Sequence, residues 1–405
     1  MIEQISFEPV TEVHKRDVSI SEYYHASIGA NKHTLEVPRE CTCIVGGQFG
    51  DDFSLPMWEN ALVQTSLANP GSFIAMHGSR RSSVWNSDGA RPRFRIVKDC
   101  QWDGMQSEGS EFITEEPLSL RGDLPSIEVI LTQGEYQYVI FRSLHAVMDG
   151  AGLLHFMYEF FRALRGEALQ GTNTLLTDIE LMSRLERGQR SAVKGTPPYA
   201  TGGPKGNETG DCWKSIRVRG PKPKLLQRVI LGVAEMSAKY SAAPARIAMP
   251  VDLRRHFPDL KSTMNYTTMV HFDVAQDATV EDVTAAIKVL MDGNADVSIP
   301  EKANFLKILP LSWMGKLVSR SPKNFTKRKI LETAVITNIG RHKSKSFSGP
   351  GFQAERVFSV PIPGNTMVSI MNMDNDIAIN VGTEKVYATE GRLEELTQCI
   401  ENALA

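Results

Sequence analysis

The fold is decided by the stretch Phe141-Arg142-Ser143-Leu144-His145-Ala146-Val147-Met148-Asp149-Gly150. A strand pattern ends at His145, Asp149 follows four residues later, and Gly150 opens a strongly apolar helical pattern. The ordinary pKa of an imidazole lies near neutrality, so a histidine at the end of a buried strand can act as a general base. No other motif in the chain offers comparable catalytic chemistry.

The size and charge of the chain restrict its class. A length of 405 residues is too great for one ordinary core and favours two domains. The formal net charge of -2 gives no basic field that indicates a nucleic-acid or membrane partner. The first residues lack the features of a signal peptide, and no apolar run is long enough to span a bilayer. We therefore predict a soluble, cytoplasmic protein.

The five cysteines are scattered along the chain, which argues against a disulfide framework. Cys41 and Cys43 are the only close pair. A zinc site would need a second pair or suitably spaced histidines, which the sequence lacks. The pattern instead predicts a strand from Cys41 to Phe49 with both thiols on one face.

Periodicity predicts alternating helices and strands in both halves of the chain. In the first half we expect a helix from Ser54 to Asn69-Pro70, a strand pair over 127–132 and 136–144, and a helix from about Gly152 to Gly166. In the second half the predicted elements are a helix over 225–240, a strand over 246–251, a helix capped by Thr279 and ending before Gly293, a hairpin of strands 367–373 and 377–382, and a last helix lined by Leu393, Leu396 and Ile400.

The predicted boundary between the two halves is a segment rich in glycine, proline and small polar residues. Such a composition cannot bury enough apolar surface to become ordered alone. We therefore predict an N-terminal unit over 1–185, a crossover linker over 186–214 and a C-terminal unit over 215–405.

His145 and Asp149 admit three interpretations from spacing alone. In the first, both are metal ligands, which requires a third ligand that the sequence does not supply nearby. In the second, both are structural residues of a buried loop. In the third, His145 is a general base and Asp149 organises the loop. Val147 and Met148 make the surroundings apolar, which keeps the imidazole neutral because charging it would require desolvation.

The stretch from Ser143 to Gly150 resembles the HHxxxDG motif of the coenzyme-A-dependent acyltransferase superfamily. That superfamily includes chloramphenicol acetyltransferase, the condensation domains of nonribosomal peptide synthetases, the plant BAHD acyltransferases and polyketide-associated acyltransferases. Further along the chain, residues 249–254 (MPVDLR) are similar to the family's VDxR strand, and Asn265 resembles the asparagine of its GN segment. Residues 335–340 (VITNIG) look like the strand and turn that line the far side of its channel.

The resemblance implies a fold class of α/β (α+β). It implies two chloramphenicol-acetyltransferase-like subdomains, each a mixed β-sheet flanked by helices, with an active-site channel between them. It also implies an acyltransferase that moves an acyl group from a thioester to a hydroxyl or amine of a small-molecule acceptor. Acyl-CoA or the phosphopantetheinyl thioester of an acyl-carrier protein would be the co-substrate, with no tightly bound cofactor and no metal. We expect a monomer, because one chain holds both halves.

The resemblance also assigns roles to the motif residues. His145 is the catalytic base. Asp149, the motif aspartate, is structural and pairs with Arg254 across the two halves. Gly150 completes the motif. Arg254 thus belongs with the residues that shape the substrate site.

Three further residues are expected on the substrate side of this site. Asn265 would shape the channel floor. Thr337 and Asn338 are candidate donors to the oxyanion of a tetrahedral intermediate. The same residue types near a turn are also ordinary turn chemistry.

The chain departs from the family pattern at two positions. Leu144 stands where the motif has its first histidine, and Met264 stands where a glycine precedes the asparagine. The BAHD signature DFGWG is absent. Two alternatives therefore stay open: a stand-alone condensation-type enzyme of natural-product biosynthesis that acts on carrier-protein-bound substrates, and a catalytically inactive binding member of the fold.

Basic residues cluster late in the chain and permit two interpretations. They contact the phosphates of coenzyme A or an acidic carrier protein, or they form a solvated face. The cluster consists of Lys316, Arg320, Lys323, Lys327, Arg328 and Lys329.

Overall fold

A computed structural model describes residues 14–28, 39–189, 193–299, 301–318, 330–362, 364 and 366–405. The strands are β1 (Lys15–Asp17), β2 (Glu40–Phe49), β3 (Ala75–His77), β4 (Val84–Asn86), β5 (Arg93–Cys100), β6 (Ile127–Gly134), β7 (Gln137–Leu144), β8 (Asp211–Arg219), β9 (Ala245–Asp252), β10 (Thr267–Val274), β11 (Ala334–His342), β12 (Phe352–Val360), β13 (Met367–Met373) and β14 (Asp376–Glu384). The helices are α1 (Ile20–Ser27), α2 (Leu55–Ala68), α3 (Gly150–Leu164), α4 (Asp178–Met182), α5 (Leu225–Ala238), α6 (Val280–Asp292), α7 (Leu311–Val318), α8 (Lys385–Ala388) and α9 (Arg392–Leu404).

The first large sheet has the order β12-β2-β7-β6-β5, in which only β5 and β6 pair in parallel. Helices α2 and α3 cover one face of it. Apolar residues of α3 recur at helical spacing and are fully buried in the core on that face, among them Leu153, Phe156, Met157, Phe160 and Phe161. This spacing explains why the segment folds as a helix against the sheet. Gly166, at a φ of 69°, follows its end.

The second large sheet has the order β10-β9-β11-β13-β14-β8 and is also mixed, because β11 pairs in parallel with β9 and β13. Helices α5, α6 and α9 pack on it and share its core. The predicted fold class, two mixed sheets each flanked by helices, is therefore confirmed. A smaller sheet of order β1-β4-β3 lies beside α1.

A third core joins the two sheets. Trp102, Tyr138 and Phe358 from the first sheet's side pack with Trp213 and Ala378 from the second. Through this core, the beginning of β7 packs against strands of the second sheet.

Strand β12 lies late in the chain but belongs to the first sheet, since it pairs antiparallel with β2 over its whole length. Backbone hydrogen bonds to β2 thus hold residues 352–360 in the first sheet. Strand β8 begins at Asp211, inside the segment expected as a linker. The division into 1–185, 186–214 and 215–405 stays a prediction. Because β12 belongs to the first sheet, a single cut in the chain does not separate the two sheets.

The local predictions agree closely with the observed elements. The strands around 41–49, 127–132 and 136–144, the helices around 55–68 and 225–238, and the hairpin at Asp374-Asn375 are confirmed. The five cysteines are free and buried, with Cys41 and Cys43 in the same core. Among the described helices, none combines the length and the apolar character needed to cross a bilayer.

Candidate active site

The turn between β7 and α3 is held at both of its ends. The backbone N–H of His145 donates to the carbonyl oxygen of Arg39 at 2.8 Å. Asp149 is the N-cap of α3, and its Oδ1 accepts from the backbone N–H of Gly152 at 2.6 Å. A side-chain oxygen at this position satisfies one of the free N–H groups of the first helical turn. These two hydrogen bonds therefore fix both ends of the turn that carries the motif.

Asp149 also reaches across to the second half of the chain. Its Oδ2 accepts from the backbone N–H of Tyr266 at 2.7 Å and from Oγ1 of Thr267 at 2.9 Å. Nη1 of Arg254 lies 3.3 Å from the same oxygen. Asp149 is 1% exposed, so these contacts are shielded from water. The structure brings Asp149 and Arg254 together, as the resemblance implies.

Arg254 has little capacity left for a substrate. Its Nη1 contacts Asp252 at 2.9 Å as well as Asp149, and its Nη2 donates to the carbonyl oxygens of Ser262 at 3.0 Å and Met264 at 2.7 Å. Although burial alone would lower the pKa of Arg254, the neighbouring carboxylates raise it above its ordinary value. Protein acceptors occupy both of its terminal nitrogens, whereas its Nε is unpaired among the described residues, so its substrate-binding role stays a prediction.

The ring of His145 is oriented by Asn265. Its Nδ1 lies 3.3 Å from Oδ1 of Asn265. Since an amide oxygen only accepts, this contact places the ring proton on Nδ1 and leaves the lone pair on Nε2. Burial lowers the pKa of His145 below its usual value, so the ring is neutral at pH 7. The imidazole is half-buried and is set up to take a proton at Nε2.

Asn265 carries a second polar group that is not used by the protein. The residue is 4% exposed, and its Nδ2 has no hydrogen-bond partner among the residues that the structure describes. An unpaired buried donor is unfavourable by about 1–3 kcal/mol, so its retention beside a titratable ring marks a place where a ligand could accept.

His25 is a site residue that the sequence did not reveal. Its ring stacks on that of His145, with centroids 3.8 Å apart and an interplanar angle of 15°. Burial and the neighbouring His145 lower the pKa of His25 well below its usual value. The capping box of Ser19 and Glu22 could have predicted α1, which carries His25. The stack itself joins residues far apart in sequence and has no local signal.

The two glycines of the motif have opposite surroundings. A Cβ built on Gly150 would meet no atom within 4 Å, so this position faces open space. A Cβ built on Gly152 would lie 2.2 Å from the carbonyl oxygen of Thr263. Gly152 is therefore required where α3 approaches the second half of the chain, whereas Gly150 tolerates a side chain.

Thr337 and Asn338 are not brought to His145 by any hydrogen bond of the described residues. Both lie on β11, where Thr337 is paired with Ser369 of β13. Asn338 is exposed, and its Oδ1 accepts from the backbone N–H of Gly340 at 3.1 Å across a β-bulge. These contacts are ordinary turn chemistry, so the oxyanion role of both residues stays a prediction.

The two departures from the motif are accommodated in cores. Leu144 is 2% exposed among the apolar residues of the first sheet, and Met264 is 3% exposed in a satellite core with Leu253 and Tyr266. Of the expected basic cluster, Arg320, Lys323, Lys327, Arg328 and Lys329 lie outside the described residues, as does the side chain of Lys316. In the described ranges no group of three or more histidine, cysteine or acidic residues could hold a metal ion.

Three solved structures have the same fold as this chain. The condensation domain of the Monacolin K polyketide synthase MokA aligns with a TM-score of 0.59 at 8% identity, over 97% of each chain. The starter condensation domain of rhizomide synthetase RzmA, in complex with C8-CoA and Leu-SNAC, gives a TM-score of 0.61 at 10% identity, over 96% of this chain and 94% of that one. TRI101 of F. sporotrichioides, complexed with coenzyme A and T-2, gives 0.59 at 12% identity, over 93% and 98%.

At these identities the likeness establishes the fold and its extent over nearly the whole chain. The fold that the resemblance implies is thereby confirmed. Neither protein-family models nor curated protein sequences match this chain.

Proposed function

We propose that this protein is an acyltransferase that moves an acyl group from a thioester to a hydroxyl or amine of a small-molecule acceptor. One observation supports the proposal: a neutral, half-buried imidazole, His145, is oriented through Nδ1 by Asn265, which leaves the lone pair on Nε2. A base with a free lone pair is the first thing that this reaction needs.

In the proposed reaction Nε2 of His145 takes the proton of the acceptor's O–H or N–H group. The freed oxygen or nitrogen lone pair forms a bond to the thioester carbonyl carbon, and the carbonyl oxygen becomes an oxyanion. When the oxyanion re-forms the C=O double bond, the C–S bond breaks and the departing thiolate takes the proton from Nε2. Atoms and charges balance without an acyl-enzyme, because a thioester is already activated.

The oxyanion of this intermediate needs a hydrogen-bond donor. Thr337 and Asn338 stay the candidates for that role, because Nδ2 of Asn265 lies on the Nδ1 side of the ring, away from the reacting Nε2. Removing one such donor typically reduces kcat by about 10² to 10³.

The donor is proposed to be acyl-CoA, with a carrier-protein thioester as the second candidate. TRI101 binds coenzyme A, and the rhizomide starter condensation domain binds C8-CoA together with Leu-SNAC. The second candidate describes a stand-alone condensation-type enzyme of natural-product biosynthesis. Mass spectrometry of a loaded acyl-carrier protein, with and without enzyme and acceptor, separates it from assays with free acyl-CoA.

The decisive variant is His145→Ala. We expect turnover to fall by about 10² to 10⁴ because general-base catalysis is lost. The control is His77→Ala, which removes an exposed histidine paired with Asp88 and should leave turnover unchanged. Unchanged turnover in the folded His145 variant would reject the mechanism and favour an inactive binding member of the fold.

The pH dependence gives an independent test. Protonation of His145 removes the lone pair, so kcat/KM should fall as the pH drops through the pKa of this ring. Because burial lowers that pKa, the acid limb of the profile is expected below pH 6.5. A midpoint above that value would contradict the assignment of a buried, neutral base.

A further inference from the structure

A cleft lies between the two sheets, near the end of β7 that is remote from His145. It has a volume of about 910 Å³ and is lined by Arg217, Arg219, Gly220, Glu355, Arg356, Met373, Asp374, Asn375 and Asp376. Tyr138, which contacts Arg356, stands seven residues before His145. At roughly 3.3 Å per residue of strand, the two sites are about 23 Å apart.

Arg217 of β8 is incompletely paired within the described part of the chain. Its Nη1 donates to Asp376 at 3.1 Å, and its guanidinium lies 4.8 Å from the ring centroid of Phe358. Its Nε and Nη2 are buried and have no acceptor. These two nitrogens form one edge of the planar group, which is the edge that binds a phosphate or carboxylate through two parallel hydrogen bonds.

A second arginine places further positive charge beside Arg217. Arg356 of β12 donates through Nη2 to the hydroxyl oxygen of Tyr138 at 2.6 Å and to the carbonyl oxygen of Asp103 at 3.2 Å. Both of those partners are neutral. Burial lowers the pKa of Arg217, and the positive charge of Arg356 lowers it further, with Asp376 acting in the opposite direction. Two guanidinium groups, one from each sheet, thus repel each other across the cleft.

The three carboxylates of the cleft equal its three arginines in number but do not reach the free edge of Arg217. Asp376 is bound to Nη1 of Arg217, and Oδ2 of Asp374 accepts from the backbone N–H of Ser344 at 3.1 Å. Glu355 is exposed to solvent, where its charge is screened. Within the described residues, no hydrogen bond directs an acidic group to the free edge of Arg217.

We propose that this cleft binds a phosphate group of a small molecule, held between Arg217 of one sheet and Arg356 of the other. The bound group accepts from Nε and Nη2 of Arg217 after a rotation of that side chain toward the cleft, since both nitrogens lie below its surface. The volume exceeds that of a bare phosphate, which fits a phosphorylated molecule. The proposal stands apart from the acyl-transfer chemistry at His145.

The test uses sodium pyrophosphate as the probe, in the full chain, with sodium chloride at matched ionic strength as the reference. Titration calorimetry should give saturable binding to the wild type. In Arg217→Met and Arg217→Lys we expect the affinity to fall by about tenfold or more, because both lose the paired donors and lysine retains only the charge. Arg121→Met, which removes an exposed arginine elsewhere, should bind as the wild type does.

Asp376→Asn supplies a variant with the opposite expectation. It removes a neighbouring negative charge and leaves the free edge of Arg217 intact, so pyrophosphate should bind at least as tightly as before. Wild-type affinity in both Arg217 variants, or binding that chloride reproduces at equal ionic strength, would overturn the proposal.

Competition with coenzyme A identifies the source of the phosphate. Displacement of pyrophosphate by coenzyme A assigns the cleft to the phosphates of that molecule, and independent binding assigns it to a separate phosphorylated ligand. Both results require the site. His145→Ala should keep the wild-type affinity for pyrophosphate, so a failure of the acyl-transfer mechanism and a failure of this site are distinguishable.

Discussion

Two partly buried arginines lie at the junction between the sheets, one near each end of β7, and the protein supplies them with different numbers of acceptors. At the His145 end, Arg254 has two carboxylates and two carbonyl oxygens as acceptors. At the Tyr138 end, Arg217 has one carboxylate and two donors that, within the described residues, are unpaired. Asp149 is 1% exposed, whereas the side chain of Asp376 is 28% exposed.

This difference separates a structural contact from a candidate ligand contact. A charge that the protein supplies with two carboxylates fixes the geometry around it and is costly to disturb, although Nε of Arg254 is itself unpaired among the described residues. A charge left with fewer partners contributes little to stability and can be stabilised further by a ligand. The first end is therefore suited to holding the turn that carries His145, and the second is the one proposed to receive an anion.

The largest expected effect comes from breaking the complete end. Asp149→Ala removes the carboxylate that Arg254, Tyr266 and Thr267 share, and it leaves a buried guanidinium undercompensated. We expect the free energy of unfolding to fall by about 3–5 kcal/mol, measured by urea denaturation. A loss below about 1 kcal/mol would show that this contact behaves as a surface ion pair.

The next effect tests the close approach of α3 to the second half of the chain. Gly152→Ala places a methyl group against the carbonyl oxygen of Thr263 and should lower the free energy of unfolding by about 1–3 kcal/mol. Gly150→Ala is the matched control, because its methyl group enters open space and should change stability by less than about 0.5 kcal/mol. Equal losses in the two variants would contradict the assignment of the contact.

A smaller effect concerns the ring that stacks on the proposed base. His25→Ala removes the stacked partner of His145, and the loss of orientation should lower kcat by about tenfold. His25→Phe keeps an aromatic ring in this place and should recover most of the rate. If the phenylalanine variant were as slow as the alanine variant, the imidazole itself would be required in the reaction.

The smallest effect is expected at the incomplete end. Arg217→Met removes an undercompensated charge, and Asp376 is exposed enough to be hydrated when left alone. The free energy of unfolding should change by less than about 1 kcal/mol, or increase. Arg254→Met, measured alongside it, should be destabilising by about 3–5 kcal/mol, and similar losses in the two variants would erase the contrast between the ends.

Much of this organisation could be predicted from the sequence because it depends on neighbours in the chain. The strand before His145, the helix that begins at Gly150 and the capping box at Thr279 are set by periodicity and by side chains within a few residues. The pairing of Asp149 with Arg254 was reached through the resemblance, which supplied the long-range information that spacing lacks.

The remaining features depend on contacts between distant segments. The return of β12 to the first sheet, the stack of His25 on His145 and the free edge of Arg217 have no local pattern, since none of them is a property of one segment. For the same reason Thr337 and Asn338, which match a motif by position, do not hydrogen-bond to His145 within the described structure.

The sequence by itself determined most helices and strands, because local propensities and burial patterns fix these, and its resemblance to a known superfamily implied the class of fold and the residue expected to act as a base. Only the tertiary structure decided what surrounds each charged or titratable group. Desolvation and hydrogen-bond partners are set by packing between segments, and they determine which imidazole stays neutral and which arginine has donors to spare.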